Sequence, residues 1–103
     1  MISLVLTSRN GKYNAAAEYE ENKIVVKAGS IINQEFAEHI RGGKKAKGYR
    51  DNAEFVDGTG KVIKDCVFSS PSTAAQFVTG SSNNGYRVWK DRNGKTLKEI
   101  LGR

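Results

Sequence analysis

The chain has 103 residues, of which 38% are hydrophobic, enough for one small domain with a modest core. Its apolar runs are far shorter than the roughly 18–20 residues of a membrane-spanning helix, and its start lacks the basic segment of a signal peptide. The single cysteine, Cys66, excludes an internal disulfide and offers no metal cluster, so we expect a cytoplasmic domain without membrane, metal or cofactor.

Positive charge is the main compositional bias. Seventeen Lys and Arg residues outnumber eleven Asp and Glu residues, which gives a net charge of +6 and a sequence pI near 9.6. Such a balance in a small domain favours polyanionic partners, nucleic acid above all. The alternative is that the charge serves only solubility.

The first thirty residues predict an antiparallel three-strand meander. Residues 2–8 alternate between two faces, Asn10-Gly11 is a turn signal, and residues 13–19 can return as a second strand. Because this second segment contains three consecutive alanines, a helix is an alternative to the strand there. A polar turn then leads to a third strand over residues 23–28.

The middle of the chain combines a short helix, a basic segment and a hairpin. Asn33 can cap a helix over residues 34–41, with Phe36, Ala37 and Ile40 on its buried face. A flexible loop is expected next, and its five cations are Arg41, Lys44, Lys45, Lys47 and Arg50. Residues 52–68 predict a hairpin around the turn Asp57-Gly58-Thr59-Gly60.

The sharpest helix signature follows. Ser70 suits the N-cap, Pro71 the first turn, and Gly80 the left-handed position after the last turn of a helix over residues 71–79. Two small residues in its middle, Ala74 and Ala75, predict close packing against a sheet.

Beyond this helix the chain predicts a turn, a strand and a last helix. Asn84-Gly85 is a turn signal, and residues 86–90 alternate as a half-buried strand does. Trp89 is expected either in the core or partly exposed. Thr96 and Glu99 have the spacing of a capping box that opens a short C-terminal helix. The fold class is therefore α+β: an antiparallel sheet with two to three short helices, as a single domain over residues 1–103.

Candidate catalytic groups are few. Cys66 and the lone histidine, His39, could form a nucleophile–base pair, but Cys66 lies in an apolar strand pattern typical of a small buried residue. The carboxylates belong to a turn and to a solvated helix face. We therefore expect no enzyme.

Three features are candidates for nucleic-acid binding. The basic segment can contact phosphates and release counterions, the start of helix 71–79 has free amides and hydroxyls, and the loop at residues 84–87 has an aromatic and a cation that can meet bases. The alternative without a binding role is a solvated loop for the basic segment and simple helix capping for the start of helix 71–79. The candidate residues are Arg41, Lys44, Lys45, Lys47, Arg50, Ser70, Ser72, Asn84, Tyr86 and Arg87.

In the C-terminal half, the pattern Phe-Ser-Ser-Pro-Ser-x-Ala-Ala-x-x-Val-x-Gly at residues 68–80 is followed by Asn84-Gly85, Trp89-Lys90 and Gly94-Lys95-Thr96-Leu97. This pattern resembles an uncharacterised bacterial domain-of-unknown-function family found after GIY-YIG-type nuclease and restriction-modification proteins. Upstream, the segment Val25-Val26-Lys27-Ala28-Gly29-Ser30 resembles an element of the same family. The Ser-Pro-Ser-x-Ala-Ala…Asn-Gly…Trp pattern is also similar to the RAMA domain, in which Trp commonly follows Asn-Gly where this chain has Tyr86. The matching positions are Phe68, Ser69, Ser70, Pro71, Ser72, Ala74, Ala75, Val78, Gly80, Ser82, Asn84, Gly85, Trp89, Lys90, Gly94, Lys95, Thr96 and Leu97.

The resemblance implies a DNA-binding accessory domain in a restriction-modification or nuclease setting and supplies no catalytic residues. The alternative function is a protein-interaction or homodimerisation module with no role on nucleic acid.

Overall fold

An antiparallel four-stranded sheet is the base of the fold. In the computed structural model, which describes residues 1–36 and 44–102, the strands follow one another across the sheet in chain order. They are β1 (Ile2–Thr7), β2 (Asn14–Glu20), β3 (Lys23–Val26) and β4 (Cys66–Phe68). The predicted N-terminal meander is confirmed, with strand ends shifted by one or two residues.

The pleat of the sheet separates a buried from an open face. In β2, Ala15 and Ala17 are buried while Ala16 between them is exposed, so the alanine run is a strand and its helical alternative is wrong. The turn between β2 and β3 has two left-handed residues, Glu21 and Asn22, which suits the twist of a tight hairpin.

Within the described residues, four helices accompany the sheet: α1 (Lys44–Arg50), α2 (Pro71–Thr79), α3 (Gly85–Val88) and α4 (Leu97–Leu101). The predicted capping of two of them is confirmed. The Ser70 side chain accepts from two amides of the first turn of α2, and Gly80 ends that helix in the left-handed region at φ 77°. Thr96 and Glu99 form the capping box of α4. No helix within the described ranges is long and apolar enough to cross a membrane.

Helix α2 packs on β3 and β4, as its small residues predict. Ala74 and Ala75 are fully buried, so the helix backbone lies close to its neighbours. The core between helix and sheet contains Phe68, Phe77 and Trp89, which are also buried. The structure is a single α+β domain.

The strand predicted over residues 86–90 is wrong. Residues 85–88 form α3, because the Asn84 side chain accepts from the amide of Tyr86 and caps a helical turn. Only Lys90 pairs with the sheet, through two backbone hydrogen bonds with Val5 of β1. Trp89 between them is fully buried, which decides the question of its exposure.

The helix predicted over residues 34–41 is wrong in its first three residues. The preceding residues are held extended: Ile31 pairs with Asn14, and the Asn33 amide donates to Val78 O. These long-range bonds compete with a helical start at Asn33. The remaining residues of that predicted helix, 37–41, lie outside the described ranges.

The basic segment is helical where the structure describes it. Residues 44–50 form α1 instead of the predicted flexible loop, because this segment has an inward-facing side at Ala46, Tyr49 and Arg50. In the predicted hairpin, Val56 and Val62 form an antiparallel bridge around the expected turn, and the chain then continues into β4 beside β3.

Two glycine substitutions test this packing in opposite directions. A Cβ at Gly85 would overlap the backbone of Pro71, whereas a Cβ at Gly48 in α1 would meet nothing. We expect Gly85→Ala to lower the free energy of unfolding by about 2–3 kcal/mol and Gly48→Ala to raise it by about 0.5–1 kcal/mol. Urea denaturation followed by Trp89 fluorescence measures both; a tolerated Gly85→Ala would contradict the close approach.

Candidate nucleic-acid interface

Helix α1 is attached to the core by one of its sides. Ala46 is fully buried, and the Tyr49 ring makes edge-on contacts with Phe55, Phe68 and Phe77 at centroid distances of 4.9, 5.2 and 6.0 Å. A seven-residue helix is too short to be stable alone, so these contacts are what keep it folded.

The Tyr49 hydroxyl also forms hydrogen bonds with backbone groups at the open edge of the sheet. It accepts from the amide and donates to the carbonyl of Val67 in β4, at 3.2 Å in each case. Helix α1 therefore covers the β4 edge, and an exposed row of unpaired backbone groups is avoided there.

Arg50, a predicted phosphate contact, is turned towards the core. Its Nε donates to Phe77 O at 3.0 Å, and its guanidinium lies 4.7 Å from the centroid of Phe36. Burial lowers the pKa of Arg50 to about 10, so the side chain is still charged at neutral pH. Its buried Nη2 has no hydrogen-bond partner among the described residues. Arg50 thus fastens α1 to the last turn of α2; a phosphate contact by it stays a prediction.

The outer side of α1 is basic. Lys44, Lys45 and Lys47 are exposed, and the helix contains no acidic residue. Lys45 lies 5.7 Å from the Tyr49 ring centroid, while the side chains of Lys44 and Lys47 have no hydrogen bond or ion pair within the described ranges. We call these three lysines the α1 surface. Arg41 lies outside the described residues.

A groove and a cleft flank this helix. The groove, about 310 Å³, is lined by Lys23, Lys45, Ser69 and Thr73 together with Tyr49, Val67 and Phe68. The cleft on the other side, about 400 Å³, has Lys47 and Arg50 but also Asp51 and Asp57. Lys23 in the groove therefore adds to the positive charge of the α1 surface, whereas Asp51 and Asp57 in the cleft reduce it.

The serine and asparagine side chains around α2 and α3 predicted to contact nucleic acid accept hydrogen bonds from the protein's own backbone. Ser70 Oγ accepts from Ser72 N at 3.2 Å, and Ser72 Oγ accepts from Gly85 N at 2.9 Å. Asn84 Oδ1 accepts from Tyr86 N at 3.1 Å. These oxygens join the starts of two helices; that they also approach nucleic acid stays a prediction.

The two remaining candidates, on α3, differ in exposure. Tyr86 is half-buried and packs against the core, whereas Arg87 is exposed. Tyr86 therefore offers only part of its ring to a base, and Arg87 is the more accessible of the two.

Sequence reasoning missed four further cations close to Arg87 in the chain. The signal was available, because residues 87–98 contain five cations and one acid. The missed residues, all exposed, are Lys90, Arg92, Lys95 and Lys98.

Cys66 is a structural residue. Its thiol is fully buried and donates to Lys64 O at 3.4 Å. Burial, with a smaller contribution from neighbouring Asp65, raises the pKa of Cys66 to about 12. His39, its conceivable partner, lies outside the described residues. A thiol in this environment is a poor nucleophile at neutral pH.

These features define a small basic α+β domain. Its described residues include no group of His, Cys, Asp and Glu side chains that could hold a metal ion. A family model described as Domain of unknown function (DUF4357) matches residues 4–101, and the chain belongs to that family. No curated protein and no solved structure matches the chain. The expectation of an uncharacterised domain family is confirmed.

Alanine substitutions test the structural role of the serines. We expect Ser70→Ala to lower the free energy of unfolding by about 1 kcal/mol through loss of the N-cap. Ser72→Ala should lower it by about 1–2 kcal/mol, because the amide of Gly85 loses its acceptor. Ser69→Ala, at an exposed neighbour with no side-chain partner in the described structure, is the control and should change little. Equal effects at all three positions would contradict the assignment.

The state of Cys66 predicts slow chemical labelling. With a pKa of about 12, only about one thiol in 10,000 is ionised at pH 8, and that thiol is shielded. Ellman's reagent should therefore label the folded protein only as fast as it unfolds, and should label one thiol at once in urea. Rapid labelling of the folded protein would overturn the burial.

Proposed function

We propose that this domain binds nucleic acid, DNA in the first place, through the α1 surface. The observation that carries the proposal is a short helix whose inner side is fixed to the core while its outer side presents Lys44, Lys45 and Lys47 with no acid among them. Lysines so placed gain affinity for phosphates through release of condensed counterions.

The anchoring of α1 supports this function. A basic loop would lose backbone freedom on binding, whereas a helix already fixed by Tyr49 and Arg50 loses little beyond the freedom of its lysine side chains. The groove beside it adds Lys23, Ser69 and Thr73 as further partners for phosphate oxygens. Such contacts position a nucleic acid and do not select its sequence.

The setting of this activity follows from the resemblance described above. A domain that binds DNA without catalysing a reaction suits an accessory to a nuclease or restriction-modification protein, in the cytoplasm. The RAMA domain has been proposed to recognise modified DNA; by that similarity, modified bases would contact the partly buried Tyr86 and its neighbour Arg87.

Charge reversal on α1 tests the proposal. We expect Lys44→Glu with Lys47→Glu to weaken binding of a labelled 20-base-pair duplex at least tenfold at 50 mM salt. The slope of log K against log salt should become shallower by about 1.8, because each phosphate that a lysine no longer neutralises removes about 0.9. Fluorescence anisotropy from 50 to 200 mM salt, with methylated, unmethylated and single-stranded probes, measures both quantities.

A matched control separates a local effect of α1 from net charge. Lys12→Glu with Lys61→Glu changes the charge equally, at exposed side chains without a hydrogen bond or ion pair in the described structure, and should leave most of the affinity. Equal losses in the two double variants would mean that only net charge matters. Absence of binding by the unaltered protein would refute the function and favour a protein-interaction domain, for which a concentration-dependent mass is the next measurement.

A further inference from the structure

A second basic surface lies at the opposite edge of the sheet from α1. It consists of exposed side chains in α3 and along the segment that follows it, namely Arg87, Lys90, Arg92 and Lys95. We call these four residues the β1-edge surface, because the segment is attached to the sheet at β1.

Backbone hydrogen bonds hold this segment in place. Val5 N donates to Lys90 O at 2.7 Å, and Lys90 N donates to Val5 O at 3.1 Å. The following turn is closed by Asp91, whose Oδ1 accepts from Asn93 N and Lys95 N, both at 2.9 Å. The cations therefore project from a fixed backbone, as those of α1 do.

The side chains border a shallow groove of about 380 Å³. Arg87, Lys90 and Arg92 line it together with Thr7 of β1. Asp91 also lines this groove beside Arg87, Lys90 and Arg92, which leaves the groove with a net charge of +2, whereas the three lysines of the α1 surface sum to +3 with no acid among them. The β1-edge surface should be the weaker of the two for a polyanion.

The two surfaces are separated by the width of the sheet. Strand β4, whose edge α1 covers, and strand β1, whose edge Lys90 covers, are the two outer strands. Three strand spacings put about 14 Å between these strands alone. Between the surfaces, α2 has no charged residue, and the two acids on the open face of the sheet have basic neighbours: Glu20 lies opposite Lys23, and Glu18 lies 3.9 Å from Lys27.

We infer that the β1-edge surface binds a second segment of nucleic acid, so that one copy of the domain joins two segments. This inference rests on the proposed function of the α1 surface. A duplex stays nearly straight over lengths far below about 150 base pairs, so a short duplex seated against one edge of the sheet does not bend round the molecule to seat against the opposite edge as well. Two surfaces on opposite edges of a 36 × 27 × 26 Å molecule therefore fit two segments.

Energy transfer between two duplexes tests the inference. Equal amounts of 20-base-pair duplexes with donor or acceptor dyes are mixed with the protein at 50 mM salt, while sedimentation gives the stoichiometry. The unaltered protein should give transfer and two duplexes per monomer. Arg87→Glu with Arg92→Glu should keep the tighter binding step and lose at least four-fifths of the transfer.

The other variants make the outcomes distinguishable. Lys44→Glu with Lys47→Glu should also lose transfer, whereas Lys12→Glu with Lys61→Glu should keep it. If the first variant at Arg87 and Arg92 does not fold, Arg87→Gln with Arg92→Gln removes the same charges without placing an acid at the end of α3.

Three results would overturn the inference. One duplex per monomer with no energy transfer would leave the proposed function intact and rule out binding of a second segment. Transfer unchanged by substitution of Arg87 and Arg92 would place the second binding surface elsewhere. Transfer that persists in every variant and rises with a doubled protein mass would assign the bridging to association between copies. Absence of any binding refutes the proposed function itself.

Discussion

The fold depends on the contact between the start of α2 and the segment around Trp89. The indole Nε1 donates to Pro71 O at 3.0 Å inside the core, and Gly85 N donates to Ser72 Oγ one residue further along α2. The backbone of Trp89 accepts in turn from Leu97 N at the start of α4. Burial of one indole, at roughly 200 Å² and about 25 cal/mol per Å², amounts to about 5 kcal/mol before the entropy of ordering. The indole, the amide of Gly85 and the backbone carbonyl of Trp89 together join the three helices α2, α3 and α4.

This contact gives a physical meaning to the residue pattern that carries the family resemblance. Pro71 and Ser72 supply the acceptors, Asn84 caps the helical turn, Gly85 permits the close approach, and Trp89 supplies the donor. Residues far apart in the pattern are thus neighbours that hold the scaffold together. A pattern made of such partners identifies the fold of the domain and leaves its ligand to be sought on other surfaces.

Local signals account for what could be predicted from the sequence. The caps of α2 and α4 and the alternation of the meander depend on residues within a few positions of one another. The error at Asn33 comes from competition over distance, because its backbone amide donates to Val78 O instead of starting a helix. The strand predicted over residues 86–90 is absent because Gly85 N bonds to the distant Ser72 Oγ and Asn84 caps the helical turn that follows. For the candidate site, the lysines of α1 were identified, but its anchoring through Tyr49 to Val67 joins positions eighteen residues apart. No local pattern encodes that pairing.

The two edges of the sheet are covered by the same device, a short basic segment held by the backbone of an outer strand. At β4 the partner is the hydroxyl of Tyr49, and at β1 it is the peptide of Lys90. Occupying the backbone groups of Val67 at one edge and Val5 at the other reduces the tendency of a small sheet to pair with other chains. It also directs cations outwards from both ends of the sheet, since the inner sides of these segments are used for attachment. The protection of the sheet and the distribution of charge are therefore consequences of one arrangement.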